Sequence, residues 1–145
     1  MTETMELAIL DALATLTLQC NATAVNKGFW EDEDILLKYI NDTCLGTDLT
    51  PSGIQWLKKR ILSLFNAEKI ALEMSELAER LETLRENPIK MDEHCPEFLS
   101  IEVECADLII RCLDFCGRRQ LRVGEALVAK MKYNTTRGHK HGKKF

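Results

Sequence analysis

Apolar residues recur along this chain with the spacing of a helix, and nowhere do they alternate long enough to make a strand. Ile9, Leu10, Leu13, Leu16, Cys20 and Ala24 mark a first helix from about Met5 to Lys27, with Gly28 as its stop. Glu31-Asp-Glu-Asp34 opens a short second helix through Leu45, its acids at the positive end of the macrodipole, and Gly46 ends it. Thr50-Pro51 is an N-cap followed by proline at the first helical position, the start of a long helix carrying Trp56, Leu57, Ile61, Leu64 and Phe65. A bend near Asn66 and an unbroken run to Glu86 both fit the pattern. Asn87-Pro88 and Cys95-Pro96 break the chain before a further helix from about Phe98 to Phe115. Gly117-Arg118-Arg119 reads as a turn, and a last helix runs from about Leu121 to Thr136. The expectation is an all-α bundle of about five helices, one domain over residues 1–137, followed by a flexible basic tail at 138–145.

Within this pattern, Ile70, Met74, Leu77, Leu81 and Leu84 form an apolar seam bordered by Glu73 and Glu76, while Glu68, Glu79, Glu82 and Glu86 fall on the far side. The helix from Phe98 is apolar over most of its circumference, so it is expected to be buried on several sides, against a partner subunit as well as its own bundle. Its polar stripe is thin, only Glu104, Asp107, Arg111 and Asp114 within about 80° of arc. Glu73-Met-Ser-Glu76 and Glu104-Cys-Ala-Asp107 each hold two acids at i, i+3, so two antiparallel helices could aim four carboxylates at one point. The same stripe could instead be a plain solvent edge. Four converging carboxylates resist joint ionisation unless a cation compensates them. All-oxygen ligation with no histidine nearby favours Mg²⁺, with Mn²⁺ as a substitute, over zinc.

On the last helix Lys130, Asn134 and Arg137 share one side at i, i+4, i+7. Two cations there could merely cap the helix end, but an amide between them suits a polyphosphate. The order of these motifs, Glu-x-x-Glu, spacer, Glu-x-x-Asp, then Lys130-x-x-x-Asn134-x-x-Arg137, resembles the MazG-like family of all-α nucleoside triphosphate pyrophosphohydrolases, from about Glu68 to the C-terminus. A weaker echo lies at Gly28-Phe29-Trp30. The resemblance implies a nucleoside triphosphate substrate cut between its α and β phosphates. It implies Glu73, Glu76, Glu104 and Asp107 as metal-holding and catalytic acids, and Lys130, Asn134 and Arg137 on the phosphates. Arg111 would join the phosphates or balance Asp107 and Asp114. In such relatives an aromatic pair after the first helix lies near the base; Phe29 and Trp30 stand there, Trp30 reading equally as a core plug. Many relatives carry histidine where this chain has Asn21.

Composition narrows the alternatives. With 145 residues and 46% hydrophobic content the chain suits one ordinary domain. The N-terminus is acidic, unlike a signal peptide, and no apolar stretch is expected to reach membrane-spanning length, so the expected setting is cytoplasmic with no membrane. Six cysteines without C-x-x-C spacing fit free thiols in a reducing compartment. The net charge of −4 conceals an asymmetry: residues 126–145 carry six Lys or Arg and no acid, leaving 13 bases against 23 acids, a formal −10, in the rest. The carboxylates and basic stripe occurring together in order favour an enzyme, and the nearly all-round apolar helix from Phe98 favours a homo-oligomer, dimer or tetramer. A non-catalytic helical nucleotide-binding or bridging protein ranks behind it, and a basic-tailed nucleic-acid accessory protein behind that.

Overall fold

The computed structural model describes residues 2–43 and 50–138. They form α1 (Glu3–Asn26), α2 (Glu31–Thr43), α3 (Pro51–Glu86), α4 (Ser100–Arg118) and α5 (Val123–Thr135). Extended pairing among them is limited to one bridge, Met91 to Leu99. The all-α expectation holds. The expected stop at Leu45 and Gly46, Cys44, and the tail from His139 onward lie outside the described residues.

Local chemistry sets the ends. Thr50 Oγ1 accepts from the Gly53 N–H at 3.2 Å, with Pro51 as the first helical residue. The helix then runs through Asn66 without interruption, because the Asn66 side chain is engaged elsewhere, accepting from Arg119 Nε at 2.6 Å. After α3 the chain turns on Asp92, whose Oδ1 accepts from the His94 and Cys95 N–H groups. α4 starts when the Glu102 carboxylate accepts from the Leu99 N–H. Its reversal falls at Gln120, at φ 52, and not at Gly117. Gly117 lies inside α4 where α1 crosses closely: an added Cβ would sit 2.8 Å from Asn21 Cβ and 3.1 Å from the Thr17 carbonyl. That glycine is a packing residue, which is why it does not end the helix.

α1 and α3 flank α4 and both run antiparallel to it. On the α3 side Glu76 meets Arg111 and Arg80 meets Cys105. On the α1 side Asn21 meets Asp114, and further toward the α1 N-terminus Leu10 and Leu13 meet Gly124 of α5. Glu6 meets Lys132 at 2.6 Å. α5 thus continues along the N-terminal half of α1, while α4 occupies its C-terminal half. α2 lies against α3, with Lys58 donating to Asn41.

Two expectations fail here. α1 is long and apolar enough to cross a membrane by length and composition, since Asp11 is the single charge between Leu7 and Val25. The seam Ile70, Met74, Leu77, Leu81 and Leu84 does not enter the core; these residues are 43–65% exposed. α3 turns Glu73, Glu76 and Arg80 toward α4 instead, a rotation of about one residue, 100°, from the face that its apolar pattern favours. α4 itself is covered on two sides and leaves Ile109 and Ile110 exposed. Among the described residues the buried apolar set is Ala24, Trp30, Ile40, Leu113 and Val128.

Candidate functional site

Antiparallel pairing of α3 and α4 brings acids of both helices to one place. Carboxylate oxygens of Glu76, Glu79 and Glu104 lie within 4.8 Å of one another. Asp107, one turn along α4 from Glu104, faces Glu76 as well. Burial holds the Glu104 carboxyl above its ordinary range, and Glu79, Asp107, Glu76 and Asp92 push it further the same way. Asp107 is raised by burial and by Glu76, against a lowering influence from Arg111. Glu76 is 4% exposed and pairs with Arg111 across the helices. This is the role the structure gives Arg111; Asp114 is occupied elsewhere.

Glu73 stands apart from this group. Antiparallel crossing places it beside Cys112 and Cys116, where burial and then the Glu73 carboxylate push the Cys112 thiol up to about 11. Glu79, assigned to the far side by its angle, takes the place beside Glu104. The signal for it was present: Glu73, Glu76 and Glu79 form a ladder at i, i+3, i+6, and successive members step about 60° around the helix. All three reach α4, and their positions along the antiparallel pair decide which of its residues each meets, a register that pattern alone does not set. Asp92, contributed by the loop, has no helical period to betray it.

Phe29 and Trp30 separate. Trp30 is 1% exposed, its Nε1 donating to Asp114 Oδ1 at 2.9 Å and Oδ2 at 3.1 Å. Asn21 Nδ2 donates to the same Oδ1 at 2.8 Å, so the asparagine helps to hold a structural acid. Lys69, Arg118 and Arg119 lie over the Trp30 ring at 4.6, 5.2 and 5.1 Å. Trp30 is therefore the core plug. Phe29 is exposed and borders a half-open slot of about 120 Å³ with Lys69, Leu72, Ile110, Arg111 and Phe115. Through Arg111 this slot adjoins the carboxylates.

Lys130 and Arg137 both approach the Tyr133 ring, at 5.0 and 5.8 Å, with Asn134 exposed beside it; Arg137 lies past Thr135, the last residue of α5, so helical spacing does not carry it. The structure does not bring them to the carboxylates. Lys132 lies level with Glu6 of α1, whereas Ala24 of α1 lines the slot with Arg111. Eighteen residues separate Glu6 from Ala24, about 27 Å along the helix axis. No protein-family model matches this chain, and no curated protein or solved structure matches it significantly.

Proposed function

We propose that this protein is a Mg²⁺-dependent nucleoside triphosphate pyrophosphohydrolase, releasing a nucleoside monophosphate and pyrophosphate. The observation that carries the reading is the convergence of Glu76, Glu79 and Glu104, with Asp107 beside them, where Arg111 pairs with Glu76. Such a set fits a hard divalent ion in donor chemistry, since every offered atom is a carboxylate oxygen. Glu76, Glu79, Glu104 and Asp107 would hold it, with Glu73 at the margin. When bound, Mg²⁺ would supply charge for the phosphate oxygens and acidify an attacking water.

The chain's own groups divide the remaining work. A carboxylate of this set left free of the metal would accept the water's proton. Arg111 fixes Glu76 and borders the slot, where its charge also opposes a phosphate. Phe29 offers a flat apolar wall to a base, and Lys69 in the same slot offers a donor. Lys130, Asn134 and Arg137, far from these acids within one chain, would offer charge to a polyphosphate but take no part in the site formed by the carboxylates. The test is a panel of ribo- and deoxyribonucleoside triphosphates incubated with Mg²⁺ or EDTA and assayed for pyrophosphate. Mg²⁺-dependent release from at least one of them is the expected result, and none from any overturns the proposal.

A further inference from the structure

Glu104 borders a second cavity, on the side away from Arg111. This cavity lies between the last turn of α3 and the first turn of α4, has a volume of about 300 Å³, and is half open. The loop that closes it is held by its own backbone: the Asp92 N–H donates to the Phe98 carbonyl at 2.9 Å and the Ser100 N–H to the Lys90 carbonyl at 2.8 Å. Ser100 is 7% exposed and lines the cavity, yet its hydroxyl makes no hydrogen bond among the described residues. A nearly buried hydroxyl needs a partner, and the space it borders is where that partner must sit.

The charge of the walls selects the guest. Glu86, Asp92, Glu93 and Glu104 face the ammonium of Lys90, which already pairs with Glu93 at 3.6 Å, so the balance stays negative even with His94 protonated. The negative end of α3 at Glu86 and the positive end of α4 at Ser100 both border the space and offset each other. An anion is therefore repelled. A bare Mg²⁺ needs oxygens that converge to about 2.1 Å of one point, and among the described residues that convergence belongs to Glu76, Glu79 and Glu104; Glu86, Asp92 and Glu93 do not join it. Acids spaced around a cavity of this size match a cation whose charges are themselves spaced.

We propose that this cavity binds a short aliphatic polyamine, with one ammonium held by Ser100, Asp92 and Glu104 and the next held at the rim by Glu86. An alkylammonium has three N–H donors and no acceptor, and the first three residues offer it three oxygens. Asp92 can do so without giving up the loop, since its Oδ1 accepts from the His94 and Cys95 N–H groups at 2.8 and 2.9 Å and its Oδ2 is left for the guest. Glu104 belongs to this cavity and to the cluster with Glu76 and Glu79. Amine and divalent ion therefore compete for it, each weakening the other by the same factor. The competition rests on the proposed function, whereas the binding of the amine does not.

Titration calorimetry with spermidine, on the full chain in EDTA, tests the site. One saturable site is expected. Ser100→Ala and Asp92→Asn, the latter keeping the Oδ1 that the loop uses, should each weaken it roughly tenfold, the loss for one hydrogen bond to a charged group. Glu86→Gln, at an exposed position, gives the same test should Ser100→Ala disturb the start of α4. Asp11→Asn, on the exposed side of α1, should leave the affinity unchanged. Equal weakening by Asp11→Asn would reduce the binding to a general counterion effect and overturn the proposal. No heat with spermidine would overturn it too, leaving water on Ser100, as would Mg²⁺ binding that depends on Asp92 while spermidine does not bind. In a second measurement, spermidine should raise the Mg²⁺ concentration needed for half-maximal pyrophosphate release by the wild type and not by Asp92→Asn. An active enzyme whose Mg²⁺ requirement spermidine leaves unmoved would overturn the competition. Spermidine binding as expected to a chain that hydrolyses no triphosphate would instead reject the pyrophosphohydrolase reading and leave the amine site standing.

Discussion

Glu33 and Glu76 are both buried glutamates on helices, and their surroundings are opposite. Glu33 is 1% exposed and surrounded by cations: Arg119 donates through Nη1 at 2.7 Å and through Nη2, and Arg118 donates at 3.2 Å. Burial alone would raise its carboxyl, but Arg119 and then Arg118 outweigh this and hold it below the ordinary range. Glu76 pairs with one arginine, Arg111, and lies beside Glu104 and Asp107, whose carboxyls are both raised in part by it. The first glutamate is neutralised by its own chain and ties α2 to the end of α4. The second belongs to a group of acids that raise one another. A carboxylate that a protein satisfies internally is architecture; one that it leaves among other acids is where the proposed cation would act.

The sharpest way to break this contrast is to remove one charge from each region. Glu33→Ala leaves the largely buried Arg119 without a carboxylate and Arg118 with Asp34 alone, and should cost about 3–5 kcal/mol of stability, read from urea unfolding. A loss below 1 kcal/mol would show that the arginines find water or Asp34 instead. Glu104→Gln should act in the opposite sense. Without metal it removes a repelled charge, so its melting temperature should equal or exceed that of the wild type. Pyrophosphate release should fall about a hundredfold or more, the loss expected when a positioned base is removed. Mg²⁺ should raise the wild-type melting temperature and shift the variant much less. Equal shifts would remove the metal from the cluster.

Lys130→Ala and Arg137→Ala sharpen the comparison from the cationic side. Both side chains end in solvent far from the acids, so folding and kcat/KM should be unchanged, and each should lower the affinity for inorganic triphosphate roughly tenfold, the worth of one charge-assisted contact of about 1.5 kcal/mol. Normal binding in both would reduce the stripe to a helix-end cap.

The smallest effect is in pH. Glu104 and Asp107, held above their ordinary values, make the native state bind protons more tightly than the unfolded chain. In EDTA, stability should therefore rise as pH falls from neutral through their folded range. Glu33, held low, contributes fully above the usual glutamate value of about 4.3 and loses its contribution as pH falls through its lower folded value. A melting temperature that climbs modestly toward about pH 5 and drops below about pH 4 is expected, with the climb abolished by Mg²⁺. A flat profile in EDTA would deny the repulsion.

Much of this was legible in the residues. Thr50-Pro51, Gly28 and the two proline breaks place helix ends through local chemistry, and local chemistry survives folding. Carboxylate pairs at i, i+3 marked the two helices whose acids the structure brings together. What could not be read was rotation. The seam from Ile70 to Leu84 points outward because Glu76 and Arg111 turn the polar side of α3 inward, and a single-chain pattern assigns apolar residues to a core without saying whose core it is. Gly117 misled for a related reason, since a glycine needed for close approach is spelled like one that ends a helix. Trp30 and Asp114 found each other across 84 residues, a pairing with no periodic trace.

The spacing of contacts along the chain has a consequence for the order in which the molecule assembles. Glu76 meets Arg111 at a separation of 35 residues, whereas Asn21 meets Asp114 at 93 and Glu6 meets Lys132 at 126. Closing the larger of the first two loops costs about 0.9 kcal/mol more in chain entropy, so the α3–α4 hairpin is the part that forms early, with α1 arriving late. Early formation puts the repelled acids inside the nucleus. The chain then climbs its barrier against its own site, and a divalent ion that relieves the repulsion should speed refolding, not merely slow unfolding.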